Sequence, residues 1–69
     1  MTTKNTTRLE ELQSEIGTIN GAIDLAYKLM AKYTEAGNFS RANLTSDTID
    51  ALIEERAALM EERNQLMAI

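Results

Sequence analysis

Apolar side chains recur in the first half of the chain at alternating intervals of three and four residues. This spacing is the heptad pattern of a helix that packs along one side against a neighbouring helix. Thr7 and Glu10 form a capping box at the start of the pattern, and Gly37 follows its end as a stop. The sequence therefore predicts a first helix from about residue 7 to about residue 36. Its seam consists of Leu9, Leu12, Ile16, Ile19, Ile23, Ala26, Met30 and Tyr33.

A second apolar pattern occupies the last third of the chain, where LIEERAA, LMEERNQ and LMAI repeat with a period of seven. Thr45 or Ser46 can cap a helix that begins there, because both are good N-cap residues. The sequence thus predicts a second helix from about residue 46 to residue 69. An earlier start near Ser40 stays open, because nothing in FSRAN forbids a helix. Its seam row is Leu52, Leu59 and Leu66, and the row beside it is Ile53, Met60 and Met67.

The segment between the two patterns, residues 37–45, is long enough to reverse the chain and too short to link separate domains. We therefore predict an all-α protein in which residues 7–69 form an antiparallel two-helix hairpin, preceded by a disordered arm of residues 1–6. A further apolar stripe on the first helix, Ala22, Leu25, Leu29 and Ala36, needs a neighbour of its own. We expect the hairpins to assemble into an oligomeric helical bundle, with the seam residues at its contacts.

Gly17 and Gly21 lie inside the first helical pattern, where each costs about 1 kcal/mol relative to alanine. Small residues at such positions let another backbone or a flat ligand come close. The pair therefore indicates a close approach, either by a further helix or by a ligand.

Arg56 and Arg63 have leucine, isoleucine and methionine at helical-neighbour spacing and no acid. Both are therefore predicted to project from the apolar stripe, where a guanidinium needs an anionic partner. A chain reversal near residue 41 would place Ala26 opposite Arg56 and Ile19 opposite Arg63. The anionic group is then a carboxylate of the first helix, such as Glu15 or Asp24, in the same or another subunit, or it belongs to an anionic ligand or a partner protein. Alternatively, the side chain extends along the apolar surface and keeps its charged head in water.

Composition limits the chemistry that is open to the chain. It has no cysteine and no histidine, so we predict no metal and no cofactor. The net charge of −4 disfavours duplex nucleic acid and anionic membranes. No apolar run reaches the roughly 20 residues of a membrane span, and MTTKNTTR has no apolar signal core, so we expect a cytoplasmic protein. The acidic pairs Glu54–Glu55 and Glu61–Glu62 are predicted to form a solvated face.

Two functional hypotheses follow from these patterns. The first is a non-enzymatic homo-oligomer that binds a protein partner and blocks or scaffolds it; small size and simple architecture are common among phage and mobile-element accessory proteins. The second is an oligomer that binds or sequesters an anionic, nucleotide-type small ligand between subunits. In that case Arg56, Arg63 and Lys28 would hold phosphates, Tyr27 would stack on a base, and Gly17 and Gly21 would make room. No catalytic constellation is present in the sequence, so we do not expect an enzyme.

Overall fold

The computed structural model describes the backbone of residues 3–68 and the side chains of residues 6–68. This part of the chain is all-helical: α1 is Thr3–Glu35 and α2 is Phe39–Met67, and no strand occurs within it. The helices run antiparallel as a hairpin that is 53 Å long and only 14 × 12 Å across. The predicted helical hairpin is therefore confirmed.

A Schellman motif ends α1. Gly37 has a φ of 77°, in the left-handed region that glycine adopts without steric cost. The Asn38 N–H donates to the Tyr33 carbonyl at 2.8 Å, and the Gly37 N–H donates to the Thr34 carbonyl at 3.0 Å. These two bonds satisfy carbonyl groups that the end of a helix would otherwise leave unpaired.

The same turn starts α2. The Asn38 side-chain oxygen accepts a hydrogen bond from the Arg41 N–H at 3.3 Å, and its carbonyl accepts from the Ala42 N–H at 3.1 Å. Asn38 is thus the N-cap, and α2 begins at Phe39, seven residues before the predicted start at residue 46. Thr45, expected as a cap, instead donates its hydroxyl to the Arg41 carbonyl at 2.8 Å, so residues 39–45 are helix and not loop.

The N-terminal boundary also differs from the prediction. Residues 3–6, expected to be part of a disordered arm, belong to α1, so Thr7 lies inside the helix and does not cap it. The segment contains no glycine or proline, and nothing in it therefore stops the helix from extending toward the N-terminus. Residues 1 and 2 of the predicted arm, and Ile69 at the predicted end of the second helix, lie outside the described residues.

The seam of α1 packs against α2 of the same chain. The buried apolar side chains are Leu12, Ile16, Ile19 and Ile23 from α1, with Ala42 and Ile49 from α2. The other predicted seam residues, Leu9, Ala26, Met30, Tyr33, Leu52, Leu59 and Leu66, are half-buried. Full burial of one such leucine or isoleucine stabilises the fold by roughly 1.5–3 kcal/mol. The seam thus holds the hairpin together, and its predicted role between chains stays a prediction.

Gly37→Ala tests the turn. An L-residue with a side chain in the left-handed region costs about 1–2 kcal/mol, so the free energy of unfolding should fall by about that much. Gly37→Asn is the matched control, because asparagine tolerates this region and should cost clearly less. Urea unfolding at one fixed protein concentration measures both changes. Equal stability of the alanine variant and the native chain would contradict the Schellman turn.

Candidate functional site

Arg8 connects the two helices near the open end of the hairpin. Its Nε donates to Glu62 Oε2 at 2.6 Å and its Nη2 donates to Glu62 Oε1 at 2.9 Å, which makes a bidentate pair. Arg8 Nη1 also donates to Glu11 at 3.2 Å and lies 3.9 Å from a Glu15 carboxylate oxygen. One guanidinium therefore faces three carboxylates from both helices.

This cluster shifts the ionisation of its members. The hydrogen bonds from Arg8 hold the pKa of Glu62 below its usual value, because they favour the charged carboxylate. The hydrogen bond to Glu62, followed by that to Glu11, raises the pKa of Arg8 further above its ordinary value. The side chains remain 36% and 41% exposed for Arg8 and Glu62, so water and salt screen the pair.

No sequence pattern predicts this cluster. Glu62 is expected on a solvated acidic face together with Glu54, Glu55 and Glu61, but it is half-buried, whereas the other three are exposed. Arg8 stands at i−3 from Glu11, which is a local indication of a pair. Its pairing with Glu62 depends on the register of the hairpin, which no local pattern reveals.

Arg56 has a neutral partner. Its Nη1 donates to the Asn20 side-chain oxygen at 2.9 Å, across from α2 to α1. The structure therefore shows an amide oxygen as the acceptor of Arg56, and not the predicted carboxylate. The predicted register, with Ala26 opposite Arg56, is also wrong, because the chain reverses at Gly37 and Asn38 and not near residue 41.

Arg63 lies in the seam of α2 between Leu59 and Leu66. Its Nε is buried and has no hydrogen-bond acceptor among the described residues, although the residue as a whole is half-buried. A buried donor that lacks an acceptor loses the hydrogen bonds it would make to water, and the loss is larger for a charged group. Arg63 therefore offers an unpaired donor to an acceptor from outside the chain.

Gly17 and Gly21 face away from α2. Both are exposed, and a Cβ added at either would meet no atom within 4 Å, helix backbone and chain neighbours aside. No helix of the same chain thus makes the close approach that the two glycines indicate. A close approach to the two glycines by another molecule stays a prediction.

The six candidate ligand residues do not converge within one chain. Lys28 lines a shallow groove on α1 with Leu25, Leu29, Ala31, Lys32 and Glu35. Tyr27 is 48% exposed and is seven residues, roughly 10 Å of helix, from the Asn20 partner of Arg56. A pocket that these residues build between subunits stays a prediction.

The described residues contain neither a metal-binding group of side chains nor a helix that could span a membrane. No group of three or more histidine, cysteine, aspartate or glutamate side chains there could hold a metal ion. No helix in residues 3–68 combines the length and the hydropathy that crossing a membrane requires. The chain matches no protein-family model, no curated protein and no solved structure.

The lowered pKa of Glu62 predicts how acid acts on the fold. The carboxylate is ionised in both states at neutral pH, and the unfolded chain takes up the proton first as the pH falls. The Arg8–Glu62 pair therefore contributes fully to stability above the ordinary pKa of a glutamate. This contribution is lost as the pH drops through the lowered pKa of Glu62 in the folded chain. Glu62→Gln should lower the melting temperature at pH 7 and make the decrease with acid shallower.

Thermal melts between about pH 7 and about pH 3 at low salt measure this effect. Glu54→Gln is the matched control, since it removes the same charge from an exposed position without an ion pair among residues 6–68. Identical acid profiles for the two variants would contradict a role for the Arg8–Glu62 pair in stability.

Proposed function

We propose that this chain is a non-enzymatic interaction protein, which assembles as an oligomer of hairpins and binds a protein partner that it blocks or scaffolds. The observation that carries the proposal is the apolar surface left outside the filled seam. Large apolar side chains are exposed on both helices, and Leu25 and Leu29 are neighbours on the surface of α1, where exposed apolar surface is one mark of an interaction site. They are Leu25, Tyr27, Leu29, Phe39, Leu44 and Met67.

The shape of the hairpin supports association. Its accessible surface is 5061 Å² for a mass of 7.7 kDa. A compact monomer of that mass exposes about 4,300 Å² by the usual scaling of surface with mass. Two long helices side by side cannot shield one another further, so additional burial requires another molecule.

The outer face of α2 indicates the chemistry of the partner. Asp47, Glu54 and Glu61 recur there at intervals of seven, with Asp50 beside them, and all four are exposed. None of them has an ion pair among the described side chains. A regular acidic stripe complements a basic cleft, and electrostatic attraction of this kind gives speed and specificity to association. The small size and simple architecture are common among accessory and inhibitor proteins of phages and mobile elements, and we propose that setting for this chain.

Charge reversal on this stripe tests partner binding. Glu54→Lys/Glu61→Lys should abolish co-purification of a basic partner while the homo-oligomer keeps its native mass, because the stripe lies away from the seam. Glu10→Lys/Asp24→Lys is the matched control, with the same charge change on exposed positions of α1. Native mass spectrometry of protein purified from its producing cells measures the mass of the homo-oligomer and the mass of its complex with the partner. Equal loss of partner in the two double variants would contradict a role for the acidic stripe.

Arg63 favours a second candidate function, an anionic small ligand of nucleotide type held between subunits. The observation in its favour is the buried Nε without an acceptor, since a phosphate or carboxylate would supply one. A second copy or a protein partner could supply the same acceptor, so the ligand itself must be detected.

Arg63→Met separates a bound ligand from an empty site. In ligand-free protein it should raise the melting temperature, because a methionine removes the unpaired buried donor and keeps most of the apolar stem. In protein purified from cells it should remove any stoichiometric adduct seen by native mass spectrometry. Lys32→Met is the control, as it deletes an exposed cation that has no ion pair among the described side chains. An adduct that survives Arg63→Met would exclude Arg63 from its site.

A further inference from the structure

One long side of the hairpin can be followed along both helices through residues that repeat every seven positions. Arg8 and Glu62 mark this side, because they pair across it, and Glu11 lies beside them. Residues seven apart stay on the same side of two packed helices. We call this surface the Arg8 side. Its rows are Arg8, Glu15, Ala22 and Leu29, then Glu11, Thr18, Leu25 and Lys32, both on α1, and Arg41, Thr48, Glu55 and Glu62 on α2.

The open half of the Arg8 side contains a groove between the helices. Its base is apolar, since Ile19 is buried there and Leu59 is half-buried. Its rim is acidic, since Glu15 and Glu55 are exposed. The groove is lined by Ser14, Glu15, Thr18 and Ile19 of α1 and by Glu55 and Leu59 of α2.

The same half carries unmatched negative charge. One guanidinium, described above, faces three carboxylates there, those of Glu11, Glu15 and Glu62. These carboxylate side chains are between 41% and 56% exposed, so each can accept a further cation. Two added cations would make this acidic cluster neutral.

The turn half of the Arg8 side has the opposite character. Arg41 and Lys32 lie at the turn end of their rows, and neither has an ion pair among the described side chains. The Arg41 guanidinium carbon lies 5.9 Å from the centre of the Tyr33 ring, which places it beside the seam. Between the cations and the middle of α1, Leu25 is 68% exposed and Leu29 is 44% exposed. This half therefore presents two cations and two leucines, which are what the groove and the acidic cluster lack.

We propose that the Arg8 side packs on the same side of a second copy of this chain, with the turn of each hairpin at the open end of the other. Leu25 and Leu29 of each copy cover the groove of the other copy, and Arg41 and Lys32 neutralise its acidic cluster. The inference rests on the proposed function, because it names the surface through which the proposed oligomer forms. The interface is isologous, so each of these contacts occurs twice.

The α2 row matches its own copy when it is reversed. With the two chains centred between residues 51 and 52, Arg41 of one copy lies opposite Glu62 of the other. In the same register Thr48 lies opposite Glu55. Residues 51 and 52 are uncharged, so no charge of this row meets its own copy at the centre.

The same register matches α1. The lining of the groove fixes the level at which α1 faces α2, and the centre of the pair then falls between residues 21 and 22 of α1. Lys32 of one copy lies opposite Glu11 of the other, beside its acidic cluster. Leu25 lies opposite Thr18, which lines the groove. Residues 21 and 22 are also uncharged.

Charge disfavours the alternative in which both turns lie at the same end. In that case α1 of one copy would lie over α2 of the other, with Lys32 against Arg41 and the two acidic clusters side by side. Like charges that are brought together oppose association. The charge pattern therefore selects the arrangement with the turns at opposite ends.

The Arg8 side is also large enough for a stable dimer. The hairpin is 53 Å long and 14 Å across, so one long side measures roughly 700 Å². A standard interface buries about 800 Å² on each partner. Contact along the whole side is therefore close to what a specific dimer needs.

Thr48→Glu and Thr48→Lys test the contact with opposite signs. The Thr48 hydroxyl donates to the Leu44 carbonyl of its own helix and the residue is exposed, so neither change should lower the helix content. Opposite Glu55 of the other copy, glutamate should raise the dissociation constant of the dimer at least about tenfold at low salt, and lysine should lower it. Asn43→Glu is the matched control, with the same added charge on the opposite side of α2. Sedimentation equilibrium measures association, and circular dichroism measures helix content.

Cysteine cross-linking tests the direction, and the chain has no native cysteine to interfere. Thr48→Cys and Glu55→Cys proteins should form a disulfide only when mixed, because these positions lie opposite each other. Either variant alone separates its two Cα atoms by about 10 Å, seven residues of helix, which is beyond the reach of a disulfide. With both turns at the same end, Thr48→Cys would instead cross-link with Leu25→Cys.

The outcomes separate this inference from the proposed function. A dimer that Thr48→Glu weakens and Thr48→Lys strengthens, and in which the mixed cysteine variants cross-link, supports the interface. An oligomer in which Thr48→Glu and Asn43→Glu act alike, or in which Thr48→Cys cross-links with Leu25→Cys, overturns the interface and leaves the proposed association standing. A native chain that stays monomeric at every accessible concentration overturns both.

Discussion

The three-residue reversal at Ala36, Gly37 and Asn38 determines every contact between the helices. Because the turn is a Schellman motif followed directly by the N-cap of α2, no flexible loop separates α1 from α2. Each residue of α2 therefore meets one particular part of α1 along a rod 53 Å in length. Moving the turn by a few residues would replace every cross-helix neighbour, including the acceptor of Arg56 and the partner of Arg8.

The seam that this turn aligns is not uniform. Its buried side chains on α1, Leu12, Ile16, Ile19 and Ile23, lie in the middle and the open half of the hairpin, whereas those on α2, Ala42 and Ile49, lie in the half nearer the turn. Toward the open end α2 contributes Arg56 and Arg63 at the heptad positions between its leucines. Polar groups in a helical seam reduce stability and specify register, because a slipped pairing leaves them without partners. Asn20 supplies such a partner to Arg56, whereas Arg63 Nε has none within the described residues.

The two outer faces differ in kind, and the difference suggests a division of roles. α2 presents regularly spaced acids, while α1 presents leucines, lysines and a run of small residues. A face of one charge repels its own copy and suits a basic partner. The proposed oligomer would thus keep the acidic face of α2 free for recognition.

The sequence by itself determined the helical class, the end of the first helix at Gly37 and the apolar face of each helix. These follow from helix geometry, since a 3-4 spacing puts side chains on one side of any helix, whatever packs against it. Only the tertiary structure decided that α2 begins at Phe39, that Arg8 pairs with Glu62 and that Arg56 pairs with Asn20. Those contacts join residues up to 54 positions apart, and a few residues of error in the turn shifts all of them. Asn38 sets the turn through one side-chain cap, which competes with equally good caps at Thr45 and Ser46 in the sequence.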